Sequence, residues 1–305
     1  MQRSADAKGS DEGSAGGRNV EKRKTRREHA MPGTNKILGI DVSHHQGDIE
    51  WEVLSAQADV RFVYLKATEG EGYVDPKLRE YAEQCYKYEI PFGCYHFGRP
   101  DTSGGYMDGQ REAADFVEAM ASIPAQDLPP ALDYEKYSEF GAAENIAFID
   151  GFLDELEDLI PSPERKLNFP LIYTGRNIWR YQVDFTDKFV GRANLWQVYY
   201  TSKGPDSLPS MPWPERLLWQ FSGGGSCNFY SEDGIPGVGV CDVNQFMGDE
   251  SLFLRWIGRE PEPAPVPTPE PNPDEILSAP LPCTSIWDLS AVYVMRLQGL
   301  LLAHG

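Results

Sequence analysis

The sequence has few of the features that mark a metal site, a membrane segment or a nucleic-acid surface. It has five cysteines, Cys85, Cys94, Cys227, Cys241 and Cys283, with no CxxC pair and no Cys/His cluster at zinc spacing, so no metal and no cofactor is expected. Cys227 and Cys241 flank the turn-rich NFYSEDGIPGVGV; they can bridge a hairpin, and free buried thiols are the other reading. No apolar run reaches the roughly 18 residues that span a bilayer. The N-terminus also lacks the apolar centre of a secretion signal. Cations are scarce: the formal charge is −19, and because the first thirty residues carry a net +3, the rest holds −22. Such a surface repels phosphate backbones and anionic headgroups, which argues against nucleic-acid and membrane partners and favours a neutral, polyhydroxylated substrate. Phosphate-cradling GxGxxG and GxxxxGK[ST] motifs are absent too.

The pattern that is present begins late. Residues 1–33 are rich in Gly, Ser and charge, include the basic run EKRKTRREH, and are too poor in apolar groups to offset the entropy of ordering, so a disordered tail is expected. Met31 is a candidate start. From Ile37 onward short β-rich runs alternate with helical periodicity: ILGIDVS, RFVYLKAT, PFGCYHFG, PPALDYE and PLIYTG. Between the second and third, Leu78, Tyr81, Ala82, Cys85 and Tyr86 share a helical face; between the fourth and fifth, Ile146, Ile149, Leu153, Leu156 and Ile160 do. NLWQVYY, RLLWQFS and VGVCDVNQF then follow without comparable helices. Strand followed by helix, repeated, implies a parallel sheet. The reading is an α/β fold over residues 34–258, an irregular TIM-like barrel of five β/α units followed by three β-strands. Residues 259–282 read as an extended Pro-rich linker. Residues 283–305 contain one amphipathic helix that cannot bury its own apolar face, the opening of a further domain.

Acids collect at the ends of the apolar runs. In LPPALDYEKY, Asp133 and Glu135 stand two residues apart, so an extended chain turns both to one face with Cα atoms roughly 6.5 to 7 Å apart. Asp41 ends the first run and Asp242 lies in the last, and closing a barrel brings first and last strands together. Crowded carboxyls raise one another's pKa, keeping one protonated while another is ionised. Glycoside cleavage requires that division of roles. Tyr64, Tyr95, Phe97, Tyr173, Trp196 and Trp219 lie in or beside the same strand ends, where aromatic faces can pack on sugar rings. Taken alone, each aromatic reads as core and a DxE pair reads as a surface pair.

Taken in order, GIDVSHHQGDIEW, FVYLKATEGEGYVDP, PFGCYHF, PPALDYE, PLIYTG, LWQFS and CDVNQF resemble glycoside hydrolase family 25, the muramidase-type lysozymes of bacteria and phages, from about Ile37 to Trp256. The resemblance implies hydrolysis of the β-1,4 bond between N-acetylmuramic acid and N-acetylglucosamine in peptidoglycan, with retention and without a metal. It implies Glu135 as general acid/base and Asp133 as its partner. Asp133 is then either a covalent nucleophile or the group that orients and stabilises the substrate's 2-acetamido oxygen. Asp41 and Asp242 match the family's other cleft acids, and Gln220 of LWQFS joins the aromatics in binding substrate. The expected partner is the bacterial glycan strand, met by a monomer. Without a signal peptide, the enzyme fits a phage endolysin held in the host cytoplasm until release; a bacterial autolysin is the alternative.

Some features depart from the pattern or fall short of a role. WQVYY replaces the usual continuation after Trp196 and points to a reshaped subsite there. His44 and His45 suggest a metal or a base but are expected to shape the loop. Glu69 reads equally as a fifth cleft acid or as a loop-fixing group. VYVMRLQGLLLAHG resembles the first helix of the small helical peptidoglycan-binding domain, an anchor that would raise the enzyme's concentration at the wall but is incomplete here.

Overall fold

The computed structural model describes residues 36–100, 105–159 and 169–259. The expected tail, the linker beyond Arg259, the C-terminal helix, Cys283 and Ile160 lie outside the described residues. Nine strands form one sheet: β1 (Leu38–Val42), β2 (Val60–Glu69), β3 (Tyr73–Val74), β4 (Phe92–Phe97), β5 (Ala131–Asp133), β6 (Leu171–Gly175), β7 (Asn194–Val198), β8 (Leu218–Ser222) and β9 (Asp242–Phe246). Pairing of β1 with both β2 and β9 closes eight of them into a barrel, and β3 hangs from β2 as a hairpin. All pairs from β1 through β8 around the β2 side are parallel, whereas β9 runs antiparallel to both neighbours. Helices α1 (Trp51–Ser55), α2 (Leu78–Lys87), α3 (Tyr106–Ala121), α4 (Ala142–Leu159) and α5 (Arg176–Gln182) follow β1, the β2–β3 hairpin, β4, β5 and β6. Five β/α units and three closing strands are therefore present as expected.

Two elements were not expected. β2 runs on to Glu69 before the chain folds back through Gly70 and Gly72, whose φ angles of 53° and 77° suit glycine and turn the strand into the β3 hairpin. The other is α6 (Glu250–Trp256), capped by Asp249 Oδ1, which accepts from Leu252 N–H at 2.8 Å. It packs Phe253 and Trp256 against Phe62 and Phe246, with Trp256 centroids 5.5 and 5.1 Å from those two rings. Arg61 at the start of β2 bonds Glu250 at 2.9 Å. Helix α6 thus seals the N-terminal end of the barrel and leaves the opposite end as its mouth.

The period of two along each strand sorts side chains into two cores. On β2, Val63, Leu65 and Ala67 face the helices, while Phe62 and Tyr64 join Trp196, Leu218 and Phe246 inside the barrel. Helices α3 and α4 cross through glycine: a Cβ on Gly109 would lie 2.0 Å from the Phe148 carbonyl oxygen, and one on Gly151 2.0 Å from that of Tyr106. On α2 the expected apolar face holds for Leu78, Tyr81, Ala82 and Cys85, but Tyr86 is 71% exposed. It follows Cys85 directly and is rotated about 100° away from the packed face. Cys85, Cys94, Cys227 and Cys241 are all free, so the hairpin bridge is not formed. No described helix is long and apolar enough to cross a membrane.

Candidate active site

The parallel strands deliver their C-terminal ends to one mouth, where Asp41 and Asp133 lie on β1 and at the last position of β5. β9 runs the other way and begins with Asp242, so its first residue reaches that same mouth and pairs directly with Asp41. Beyond β5, the Tyr134 N–H donates to the Tyr173 carbonyl at 2.9 Å, carrying the ladder one residue further. The Tyr134 ring turns outward into the core beside Phe148 and Trp179, so its neighbours Asp133 and Glu135 both face inward. The result is a cleft of about 270 Å³ lined by Asp41, Asp133, Glu135 and Asp242 together.

These acids differ in their support. Asp41 Oδ2 accepts from Asn244 Nδ2 at 2.7 Å and Gln220 Nε2 at 2.9 Å. Each donor is itself fixed: Trp196 Nε1 donates to Asn244 Oδ1 at 2.8 Å, and the Tyr173 and Tyr200 hydroxyls donate to Gln220 Oε1 at 2.9 and 2.8 Å. Burial still pushes Asp41 up to about 6, against those two donors. Asp133 has no such support, and its buried Oδ1 has no hydrogen-bond partner. Burial, then the charges of Glu135 and Asp41, hold its carboxyl well above the usual range. Glu135 is open to solvent at the mouth. Desolvation by the surrounding walls and then Asp41 raise it, while the neighbouring Tyr173 hydroxyl and Lys66 oppose them. Asp242 is pushed up to about 8 by burial, then by Asp41 and Glu135. Near neutral pH the cluster therefore holds bound protons that isolated carboxyls would have lost.

Tyr95, Phe97, Tyr173, Trp196 and Gln220 line the cleft, but Tyr64 and Trp219 do not. Tyr64 points inward one layer too deep: its ring packs under Trp196 at 4.8 Å and its hydroxyl donates to the Pro129 carbonyl at 3.0 Å. Trp219 is adjacent to Gln220 and so faces the other side of β8, where its Nε1 donates to the Tyr199 carbonyl at 2.9 Å and its ring meets Phe221. Two residues one apart on a strand cannot both face the cleft. His44 Nδ1 lies 2.7 Å from Asp75 Oδ2, tying the β1–α1 loop to the segment after β3. His45 lines the cleft, while Glu69 lies outside its lining.

Several lining residues were not anticipated from the sequence: Lys66, Tyr200, Ser43, His45 as a wall residue and Gln46. Asn244, behind Asp41, was missed as well. A signal existed for five of them. Lys66 is a charge within an apolar strand two residues beyond the inward Tyr64, Asn244 is two beyond Asp242 on β9, and Tyr200 closes the anomalous WQVYY. For Ser43 and Gln46 the signal was the capping box they form, with Ser43 N–H donating to Gln46 Oε1 at 2.7 Å. Among the described residues no three His, Cys, Asp or Glu side chains are arranged to hold a metal ion.

Residues 40–228, more than half of the chain, match Glycosyl hydrolases family 25. The chain belongs to that family. Lysozyme M1 of Streptomyces globisporus is 28% identical over 231 residues, covering 72% of this chain and 71% of its own. An N,O-diacetylmuramidase of Chalaropsis sp is 26% identical over 209 residues, covering 63% of this chain and 93% of its own. Among solved structures, the bacterial lysozyme from Streptomyces coelicolor superposes with a TM-score of 0.59 at 26% identity, covering 74% of this chain and 98% of that one. The family 25 lysozyme from Aspergillus fumigatus, at 24% identity and a TM-score of 0.60 over 73% and 99% of the chains, shares the fold of this family 25 barrel. Uncharacterized YegX proteins of Escherichia coli are relatives too, at 28% identity.

Proposed function

We propose that this chain is a peptidoglycan muramidase that hydrolyses the β-1,4 bond between N-acetylmuramic acid and N-acetylglucosamine with retention. The observation that carries this reading is the pair Asp133 and Glu135 on one face at the end of β5, enclosed with Asp41 and Asp242 in a cleft. Relatives named as a lysozyme and as N,O-diacetylmuramidases support the bond assignment.

Glu135 is the general acid/base. Its raised pKa and its place at the open mouth let it hold a proton, give it to the glycosidic oxygen as the C–O bond breaks, and then take one from the incoming water. Asp133 is placed behind it with an unpartnered, buried oxygen. That oxygen suits an N–H donor from the substrate's 2-acetamido group, whose carbonyl oxygen attacks the anomeric carbon as the leaving oxygen takes the Glu135 proton. Water then opens the resulting ring, so two inversions give retention. Direct attack by Asp133 is the other route, and it also retains configuration. Asp41, locked by Gln220 and Asn244, fixes the far side of the cleft, where Asp242 sets the local charge. Tyr95, Phe97, Tyr173 and Trp196 offer faces to the C–H surfaces of the sugars.

The test is mass spectrometry of fragments released from purified peptidoglycan by the chain and by Glu135→Gln, after borohydride reduction of new ends. The expected result is reduced N-acetylmuramic acid from the parent alone. Reduced N-acetylglucosamine would make the chain a glucosaminidase. No fragments from several wall types, with glycan binding intact, would make it a binding barrel without turnover.

A further inference from the structure

Lys66 is the only lysine or arginine among the described residues lining the cleft. It stands on β2 with its side chain only 9% exposed, where an ammonium requires a partner. Its Nζ finds one in Glu69 Oε2, three residues on, and the other Glu69 oxygen is gripped by Arg99 through Nε and Nη2. Burial works against an ionised Glu69, but its hydrogen bonds from Lys66 and Arg99 win, and hold its carboxyl below the usual range. Glu69 is therefore a fixed anion, unlike the four acids of the cleft.

Arg99 is placed with equal care. Its backbone N–H donates to Glu112 Oε2 on α3 at 3.0 Å, and the same oxygen lies 2.7 Å from His96 Nε2. The Arg99 guanidinium passes over the Phe97 ring at 5.6 Å, and its stem crosses Gly70, where a Cβ would come within 3.3 Å of Arg99 Cδ. Lys66 Nζ meets the same Phe97 ring at 5.0 Å and the Tyr73 ring at 5.7 Å. Charges thus alternate outward from the cleft: lysine, glutamate, arginine.

On the muramidase reading above, we propose that Glu69 and Arg99 are positioning residues for the reaction: they hold the Lys66 ammonium on the cleft side as the counter-charge to Asp133 and Glu135. A lysine stem has several rotatable bonds and would otherwise carry its charge toward solvent. The groups that share the cleft with that ammonium are Asp133 at the end of β5, Glu135 two residues beyond it, Asp41 from β1 and Asp242 from β9. Tyr95 comes from β4 and His45 from the β1–α1 loop, and the Tyr73 ring of the hairpin lies beside the ammonium. Lys66 acts on both members of the catalytic pair, drawing Asp133 and Glu135 down against the burial and crowding that raise them.

The test compares the chain with Lys66→Met, Arg99→Gln and Arg99→Lys by two readouts: pH–rate profiles on peptidoglycan, and carboxyl titrations followed by carbon NMR. Lys66→Met is expected to move both limbs of the profile, and the Asp133 and Glu135 titrations, to higher pH by about one unit. Arg99→Gln is expected to move them the same way by less, and Arg99→Lys to return them toward the parent. A uniform fall in kcat with limbs and titrations unmoved would overturn the proposal and leave Arg99 a purely structural group. If the parent cleaves no peptidoglycan, the muramidase reading fails, and the titrations alone still decide whether Arg99 controls the charge on the cleft.

Discussion

On the outer face of β4, His96, Thr68 and Glu112 form a cluster whose residues are 0 to 1% exposed. Thr68 Oγ1 lies 2.8 Å from His96 Nδ1, Glu112 Oε2 lies 2.7 Å from His96 Nε2, and that carboxylate also accepts the Arg99 N–H. A few residues away, on the inner face of the same barrel, Asp133 is nearly as buried but keeps an oxygen without a partner, among three other carboxyl groups. Both places bury acid groups, and the difference lies in what satisfies them. The outer cluster uses both ring nitrogens of His96 and is closed off from solvent, so it serves the fold. The inner cluster is left partly unsatisfied around an open volume, and a substrate can supply what the protein withholds. Asp41 stands between the two: it faces the cleft but is locked by two amide donors.

Substitutions can break this contrast. Glu135→Gln has the largest expected effect, a loss in kcat of about 10³-fold or more with glycan affinity retained, checked by turnover and by binding calorimetry. Asp133→Asn keeps the shape but not the charge, and should cost about 10²-fold in kcat while KM changes little. Glu112→Ala tests the quiet cluster: it strands a buried His96 nitrogen and the Arg99 N–H, and should lower stability by about 2 to 3 kcal/mol in denaturant titration. Disturbing Arg99 would also bring a small shift in the pH profile.

Asp242→Asn sharpens the comparison with the smallest effect. The carboxyl of Asp242 is raised from 3.8 to about 8 in the folded chain, so the folded state binds that proton more tightly than the unfolded state does. Its contribution to stability is fully present below pH 4 and is lost as pH rises through about 8. The amide variant should therefore melt a few degrees above the parent at pH 8 and match it at pH 4, as read by thermal unfolding. Equal melting points at pH 8 would show that the cleft acids are better solvated than their crowding implies.

The sequence carried the architecture because strand and helix periods are strong signals, and the five β/α units with three closing strands could be counted from them. It did not carry α6, since ESLFLRW packs its Phe253 and Trp256 against rings from β2 and β9 that only closure brings near. Nor did it carry the β3 hairpin, a two-residue strand extending β2. In the cleft, alternation alone could have separated Gln220 from Trp219, whereas the depth of Tyr64 depends on the barrel's layering and is invisible along one strand. The Lys66–Glu69 spacing was in plain view, but its meaning depended on Arg99, thirty positions further on and brought beside it by the parallel pairing of β2 and β4.

The reversed last strand has a consequence for handling the molecule. The described barrel enters at Lys36 beside the base of β1 and leaves through α6, which stoppers that same base. Both ends of the body are thus on the side away from the mouth. A tether, a tag or a solid support joined at either end of this body would hold it by its foot, leaving the cleft facing outward toward an insoluble polymer that cannot itself diffuse.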